Sequence, residues 1–267
     1  MKTILITGAT DGIGLETARE LARQGHEVIL HGRSAEKAQI ARNIIFQELP
    51  DACLQIAQAD LASLSSVSKM AKELNARFPK LDVLINNAGV YMQKKVFSAD
   101  GFEMTIAVNH IAHFQLTNLL LPLLKNSTEP RVITLSSIAH SNGIIDFSNL
   151  NAERQFDAYA TYAASKLANI IFSNELARRD PWLSSNSLHP GVIDTKLLRT
   201  GFSVKGNSVA TGALTSIFLA TSESVKGITG QYFDRCVAVN TSPIASDEKI
   251  AKELWQWTEN RVNKTVS

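Results

Sequence analysis

The sequence predicts an α/β fold: a doubly wound parallel sheet of about seven strands flanked by helices, in one domain over residues 1–267. Three observations carry this reading. Short apolar runs alternate with helical stretches of a dozen or more residues, a spacing that forces parallel pairing through right-handed crossovers. The runs are nearly continuous in apolar character, as strands buried on both faces require. A glycine-bearing loop joins the first run to the first helical stretch, at the N-terminal edge of the chain.

The elements follow in order. Residues 2–7 (KTILIT) read as a strand, and 12–24 as a helix with Ile13, Leu15, Ala18, Leu21 and Ala22 on its apolar positions. Residues 27–30 form the next strand, and Ser34 can cap a helix that ends before Pro50. A third strand covers 53–59, and a helix over 63–78 stops at Pro79. Residues 81–86 (LDVLIN) make the fourth strand, a long helical segment covers 101–124, and 131–136 (RVITLS) make the fifth strand. A helix over 157–179, a strand at 184–188, a helix at 211–220, a short strand at 231–233 and a last helix at 247–261 complete the chain. In that last helix Ile250, Leu254 and Trp257 share one packing face.

Composition narrows the function classes. With 45% hydrophobic and 19% charged residues the chain is an ordinary globular protein, and a net charge of +2 gives no footprint for nucleic acid. Cys53 and Cys236 are too few for a disulfide framework and read as small apolar fillers in a reducing compartment. No run approaches the 18 or so apolar residues of a membrane span, and the densest, 116–124, is interrupted by Pro122. The apolar start before the first turn is too short for a secretory signal. A cytoplasmic protein without a membrane span is expected, and the glycosylation-like triplets at Asn126, Asn240 and Asn263 read as chance.

The loops after the strands should hold the chemistry, because a doubly wound sheet binds ligands beyond the carboxyl ends of its strands. The first is Thr7-Gly8-Ala9-Thr10-Asp11-Gly12-Ile13-Gly14. Its missing side chains let the backbone approach a pyrophosphate, and the helix start supplies oriented N–H groups. At the end of the second strand an acidic residue would select NAD through its ribose hydroxyls. Here the sequence reads His31-Gly32-Arg33-Ser34, with no carboxylate before Glu36. Arg33 offers a guanidinium suited to a 2′-phosphate, and Lys37 a second cation one turn on. The plainer alternative is that both are solvated. NADP(H) is the expected cofactor.

Tyr162 and Lys166, four apart in an expected helix, share one face. A tyrosine of pKa near 10 is a poor base at neutral pH, and a neighbouring ammonium together with an oxidised nicotinamide would lower it. Two pH units of lowering take about 3 kcal/mol. Alone, such a pair usually marks a solvated helix face.

In combination the motifs are specific. Residues 7–14, Asn86-Asn87-Ala88-Gly89, Asn109, Ser136-Ser137, Tyr162 with Lys166, and Pro190-Gly191 resemble, in order and at the strand ends, the short-chain dehydrogenase/reductase family, a family with the Rossmann fold. The resemblance covers essentially the whole chain. Gly32-Arg33, Val108-Asn109-His110, the run 136–140, His189-Pro190-Gly191-Val192 and Gly230-Gln231-Tyr232-Phe233 are most similar to its retinol dehydrogenase-like branch.

The resemblance implies roles. Tyr162 is the general acid/base, Lys166 holds the nicotinamide ribose and lowers the tyrosine pKa, and Ser137, the second of the serine pair, bonds the substrate oxygen. Asn109 anchors a water in a proton relay. The cofactor is expected to meet Gly8, Thr10, Asp11, Gly12, Ile13, Gly14, Arg33, Lys37, Asp60, Leu61, Asn87, Ala88, Gly89, Tyr162, Lys166, Pro190, Gly191, Val192 and Thr195. Asp60 would contact the adenine ring, residues 87–89 the adenine-ribose side, Val192 the nicotinamide amide and Thr195 the pyrophosphate. The partner is a small carbonyl or alcohol substrate, and a homodimer or homotetramer through the helices around Phe114 and Tyr162 is implied.

Two features depart from the family pattern. Membrane-bound retinol dehydrogenases carry an N-terminal anchor, whereas this chain begins at its first strand, which favours a soluble member. Ser137 and Tyr162 are 25 residues apart, and the extra segment, 142–157, carries Ile144, Ile145, Phe147 and Phe156. It either walls the substrate site or is a surface loop packed by its own side chains. A lid over about 192–210, with Leu197, Leu198 and Phe202, favours a lipophilic aldehyde, ketone or secondary alcohol. His110 and His113 are three apart, but no carboxylate or cysteine completes a ligand set, and no metal is expected. The competing readings are a catalytically inactive NADP(H)-sensing protein, an NAD(H)-dependent dehydrogenase, and a sugar-nucleotide epimerase or dehydratase. The last needs a larger C-terminal domain than the residues after Gly191 can form.

Overall fold

Seven strands pair in parallel because every link between neighbours is long enough to cross over. They are β1 (Thr3–Ile6), β2 (Glu27–Gly32), β3 (Leu54–Gln58), β4 (Val83–Asn86), β5 (Arg131–Leu135), β6 (Ser184–His189) and β7 (Tyr232–Asp234). The order across the sheet is β3-β2-β1-β4-β5-β6-β7, closed by an eighth strand, β8 (Val237–Val239), that runs antiparallel to β7. The structure, a computed structural model, describes residues 1–266; Ser267, the last residue of the expected domain, lies outside them.

The eighth strand adds one to the expected seven. The hairpin before it turns at Arg235 and Cys236, both left-handed with φ of 48° and 62°. Two-residue hairpin turns of that geometry usually advertise themselves with Asn-Gly or Asp-Gly, and this one does not. Cys236 is thus a turn residue, its N–H donating to Thr215 Oγ1 at 3.2 Å, and Cys53 is exposed; neither is the buried filler expected.

Although the strand sequences are continuously apolar, their side chains alternate between two cores. Leu5, Ile29, Leu84 and Val132 face one side, and Ile4, Ile6, Val28, Leu30, Val83 and Ile85 the other. Each such fully buried side chain contributes roughly 1.5–3 kcal/mol. The first core is covered by α3 (Leu64–Arg77), α5 (Ala112–Lys125), α6 (Ala158–Arg179) and α9 (Glu248–Val266), the second by α1 (Gly12–Arg23), α2 (Ala35–Glu48) and α8 (Val209–Thr221). Side-chain caps start several of them: Asp11 for α1, Ser34 for α2, Ser63 for α3, Asp157 for α6 and Ser208 for α8. Each cap satisfies an otherwise orphaned N–H.

The segment expected as one helix over 101–124 is divided. A single turn, α4 (Met104–Ile106), leads into a π-helical turn at Ala107–Ile111 before α5 begins, and Pro122 sits inside α5 near its end. Such π-turns are rare and cluster at functional sites. Residues 109, 110 and 113 all bond to other elements by their side chains, which is what holds the widened turn.

Helix α6 is buried along every residue from Tyr162 to Ala177, because the sheet lies beneath it and α9 above. Trp255 of α9 packs on Phe172, with ring centroids 5.9 Å apart, and on Phe114 at 4.8 Å. The Phe114 and Tyr162 side chains are both buried within the chain.

Candidate active site

The strand order reverses between β1 and β4, so the connections after them run to opposite faces of the sheet and leave a crevice beyond their carboxyl ends. The glycine loop enters it from one side. Gly8 and Gly12 take φ of +66° and +56°, which disfavours any other residue. A Cβ on Gly14 would lie 2.3 Å from Gly8 O and 2.5 Å from Asn87 Nδ2, so only glycine lets α1 start this close. These glycines meet the requirements of a pyrophosphate cradle, and the site fits a dinucleotide. Asp11 Oδ1 accepts from Gly12 N–H at 2.8 Å, and its other oxygen meets Lys196 Nζ at 2.5 Å; that ammonium holds the carboxyl below its usual range. Thr10 rests over Gly32, whose missing side chain makes the room, and Ile13 packs at the edge of the second core.

Beside the loop, Arg33 and Lys37 are exposed, and neither enters an ion pair among the described residues. Under them lies a residue whose role the sequence did not disclose. His31 Nδ1 accepts from Gly8 N–H at 3.1 Å and Nε2 donates to Ala59 O at 3.1 Å. Burial pushes its pKa down to about 4, so a neutral ring ties the glycine loop to the end of β3. Asp60 accepts from Ala62 N–H at 3.0 Å, and Leu61 is buried beside it.

Residues 87–90 form the other wall. Asn87 spends its side-chain amide on the glycine loop, donating to Thr7 O at 2.7 Å, and the N–H groups of Asn87 and Ala88 both donate to Thr7 Oγ1 at 2.9 Å. Gly89 passes so close to the next group that a Cβ would lie 3.4 Å from Lys166 Nζ and 3.5 Å from Asn109 Oδ1.

Tyr162 and Lys166 are 5% and 4% exposed, so the pair is not a solvated helix face. Lys166 Nζ lies 5.7 Å from the Tyr162 ring centre and donates to Leu135 O at 3.3 Å; burial lowers its pKa to about 8. The lowering expected of Tyr162 from Lys166 together with an oxidised nicotinamide is opposed by burial, which pushes its hydroxyl up to about 12, while a hydrogen bond with Ser137 acts the other way. The rings of Tyr91 and Phe202 lie over it, at 5.4 and 6.1 Å between centres, and keep water away. Ser137 is the serine that meets Tyr162, while Ser136 Oγ is occupied by Lys166 O at 2.7 Å. Asn109 is fully buried; Oδ1 accepts from Val90 N–H at 2.8 Å and Nδ2 donates to Ser165 Oγ at 3.0 Å.

After β6, Pro190 and Gly191 turn the chain, Gly191 at φ +95°, and Val192 is exposed. Thr195 caps the short helix α7 (Lys196–Gly201), and its methyl would touch a Cβ on Gly12 at 3.4 Å. Leu197 and Phe202 close over Tyr91 and Tyr162. A cleft of about 210 Å³ opens beside α1, bordered by Asp11, Gly12, Thr195 and Lys196. In the 142–157 segment Ile145 and Phe147 pack on the first core while Ile144 is 72% exposed, so most of its apolar surface faces the protein itself.

The profile of the short chain dehydrogenase family matches residues 2–204. The chain belongs to that family. Mouse (Mus musculus) retinol dehydrogenase 14 is 42% identical over 97% of this chain and 85% of its own length. An uncharacterized protein of Mycobacterium paratuberculosis superposes with a TM-score of 0.83 at 34% identity, over 98% of this chain and 94% of that one. A Shigella flexneri short chain dehydrogenase complexed with NADP superposes at 0.72 and 27% identity, over 88% and 97%. The chain is thus an oxidoreductase of the retinol dehydrogenase-like branch, from a family that acts on CH–OH groups with nicotinamide cofactors. No helix among the described residues is long and apolar enough to cross a membrane.

Proposed function

We propose that this protein is an NADP(H)-dependent oxidoreductase for a lipophilic aldehyde, ketone or secondary alcohol, with residues 192–210 as its substrate lid. The observation that carries the reading is the half-buried Ser137 meeting the buried Tyr162 and Lys166 beside a glycine cradle. When bound, the nicotinamide supplies or receives the hydride. Ser137 and Tyr162 hold the substrate oxygen, and Tyr162 gives it a proton in reduction or takes one in oxidation. A hydroxyl held near 12 is protonated at neutral pH, the state that reduction needs. Lys166, still largely protonated at neutral pH with a pKa of about 8, binds the nicotinamide ribose. Asn109, whose backbone carbonyl accepts from His113 at 3.0 Å, would anchor the relay water.

Cofactor choice rests on Arg33 and Lys37, two cations free to take a 2′-phosphate at a strand end without a carboxylate. The NADP bound by the Shigella flexneri relative agrees with this. Substrate class rests on the rings of Tyr91, Tyr159 and Phe202 around Tyr162 and on similarity to retinol dehydrogenases. Fluorescence titration with NADPH and NADH tests the assignment. Wild type should bind NADPH more tightly, and Arg33→Ala should lose roughly 10–100-fold for NADPH with little change for NADH. Equal affinity for both cofactors in the wild type would remove NADP(H) from the assignment.

A further inference from the structure

His113 lies on neither the cofactor nor the substrate side of the crevice, yet it connects the groups that do. Its Nδ1 is 3.0 Å from the backbone carbonyl of Asn109, and its Nε2 is 2.9 Å from Thr7 Oγ1. A carbonyl can only accept, so the single proton of a neutral ring is on Nδ1, and Nε2 must accept. Thr7 Oγ1 already receives the N–H groups of Asn87 and Ala88. Its own proton therefore goes to Nε2, which is nearer than the alternative, Ile85 O at 3.4 Å.

The chain of bonds continues with the same certainty of direction. Asn109 takes the N–H of Val90 and donates to Val90 O at 3.1 Å and to Ser165 Oγ, and Ser165 passes its proton to Tyr162 O at 2.7 Å. Each of the two Asn109 Nδ2 hydrogens has its own acceptor, and the Thr7 hydroxyl has its nearer acceptor in His113 Nε2. The network brackets residues 87–90 at both ends, and Gly89 between them lies against Lys166.

We infer that His113 is a positioning residue for the redox site: by bridging Thr7 to the Asn109 carbonyl in its Nδ1–H tautomer, it holds the 87–90 loop and the π-turn in the one register that presents Lys166 and Tyr162 to the nicotinamide. The inference rests on the function proposed above. Burial, which lowers the His113 pKa to about 3, keeps the ring neutral and the bond directions fixed.

The test combines kinetics, with NADPH and decanal as probe substrates, and histidine nitrogen NMR on the wild-type protein. Thr7→Val should lower kcat about tenfold and leave the decanal KM within about twofold, the split expected when orientation rather than binding is lost. Thr7→Ser, which keeps the hydroxyl, should restore kcat, and Thr7→Val with His113→Phe should be no worse than the poorer single variant, as for two members of one network. NMR should report His113 as neutral Nδ1–H at pH 7. An Nε2–H tautomer, additive losses in the double variant, or failure of Thr7→Ser to rescue would overturn the inference. Wild-type protein that turns over no aldehyde with either nicotinamide would overturn the proposed function instead, and the tautomer, read without substrate, would still decide whether the bridge exists.

Discussion

The crevice presents positive charge in two places, and they are built in opposite ways. Arg33 and Lys37 stand in solvent at the end of β2, whereas Lys166 is sealed beneath Tyr162 and the 87–90 loop. The exposed pair keeps its hydration, costs the fold nothing, and can act only on a ligand that brings its own charge. The sealed ammonium has lost its water and its pKa has fallen to about 8, so every field it exerts on the site is less screened. The proposed function would thus put recognition where charge is cheap and chemistry where it is expensive.

Removing the tyrosine hydroxyl tests the sealed side most severely. Tyr162→Phe should lower kcat by roughly 10²–10⁴-fold while NADPH affinity stays nearly unchanged, because the exposed corner is untouched. Steady-state rates beside a fluorescence titration check both halves, and turnover like the wild type would sink the assignment of Tyr162.

The cost of the buried ammonium is itself measurable. The unfolded chain holds the Lys166 proton up to a pKa near 10.5, while the folded chain releases it near 8. The unfolded state therefore binds more protons between those values, and stability rises with pH across that window. Below it the penalty is fully present, about 3 kcal/mol. Lys166→Met should abolish activity yet raise Tm at pH 7 by several degrees, on the order of 5 °C, with the gain shrinking toward pH 10. Leu135 O is not orphaned in the variant, since Asn169 Nδ2 also donates to it at 3.0 Å. A lower Tm at pH 7 would show that the ammonium stabilises its surroundings.

The smallest effect belongs to the exposed side. Lys196, 82% exposed, pairs with Asp11 across the glycine loop and the segment after Gly191. Surface pairs contribute about 0–1 kcal/mol, so Lys196→Ala should move Tm by no more than a degree or two. A larger drop would mean that the pair is sheltered in a way its exposure does not suggest.

The same division explains what could be read from the residues alone. Tyr162 with Lys166, the glycine loop and Arg33 are local patterns, written in spacings of a few residues and in strand–loop–helix order. The sheet followed from the alternation of runs, and its first seven strands appear in the expected places. What escaped depends on partners far away in the chain. His31 meets Gly8 and Ala59, His113 meets Thr7, and Trp255 covers Phe114, all across separations that leave no periodicity. The four-residue spacing shows that Lys166 is near Tyr162, but no spacing announces the rings of Tyr91 and Phe202, which lie over Tyr162 while burial raises its pKa. The β8 hairpin was missed for a local reason, since Arg235 and Cys236 adopt left-handed geometry without a glycine.

His31 and His113 grip one loop from opposite sides, and both rings must stay neutral to do so. An unfolded chain takes up protons at histidine near pH 6.5, while these native rings resist until about 4 and about 3. Acid therefore favours the open chain, with a penalty that accumulates from about pH 6.5 downward. The bonds at stake are those by which His31 in β2 and His113 in α5 hold the glycine loop, the proposed nucleotide seat. In an acidic compartment the seat is the part at risk, and a nucleotide already in place protects it by mass action, since it binds only the folded form.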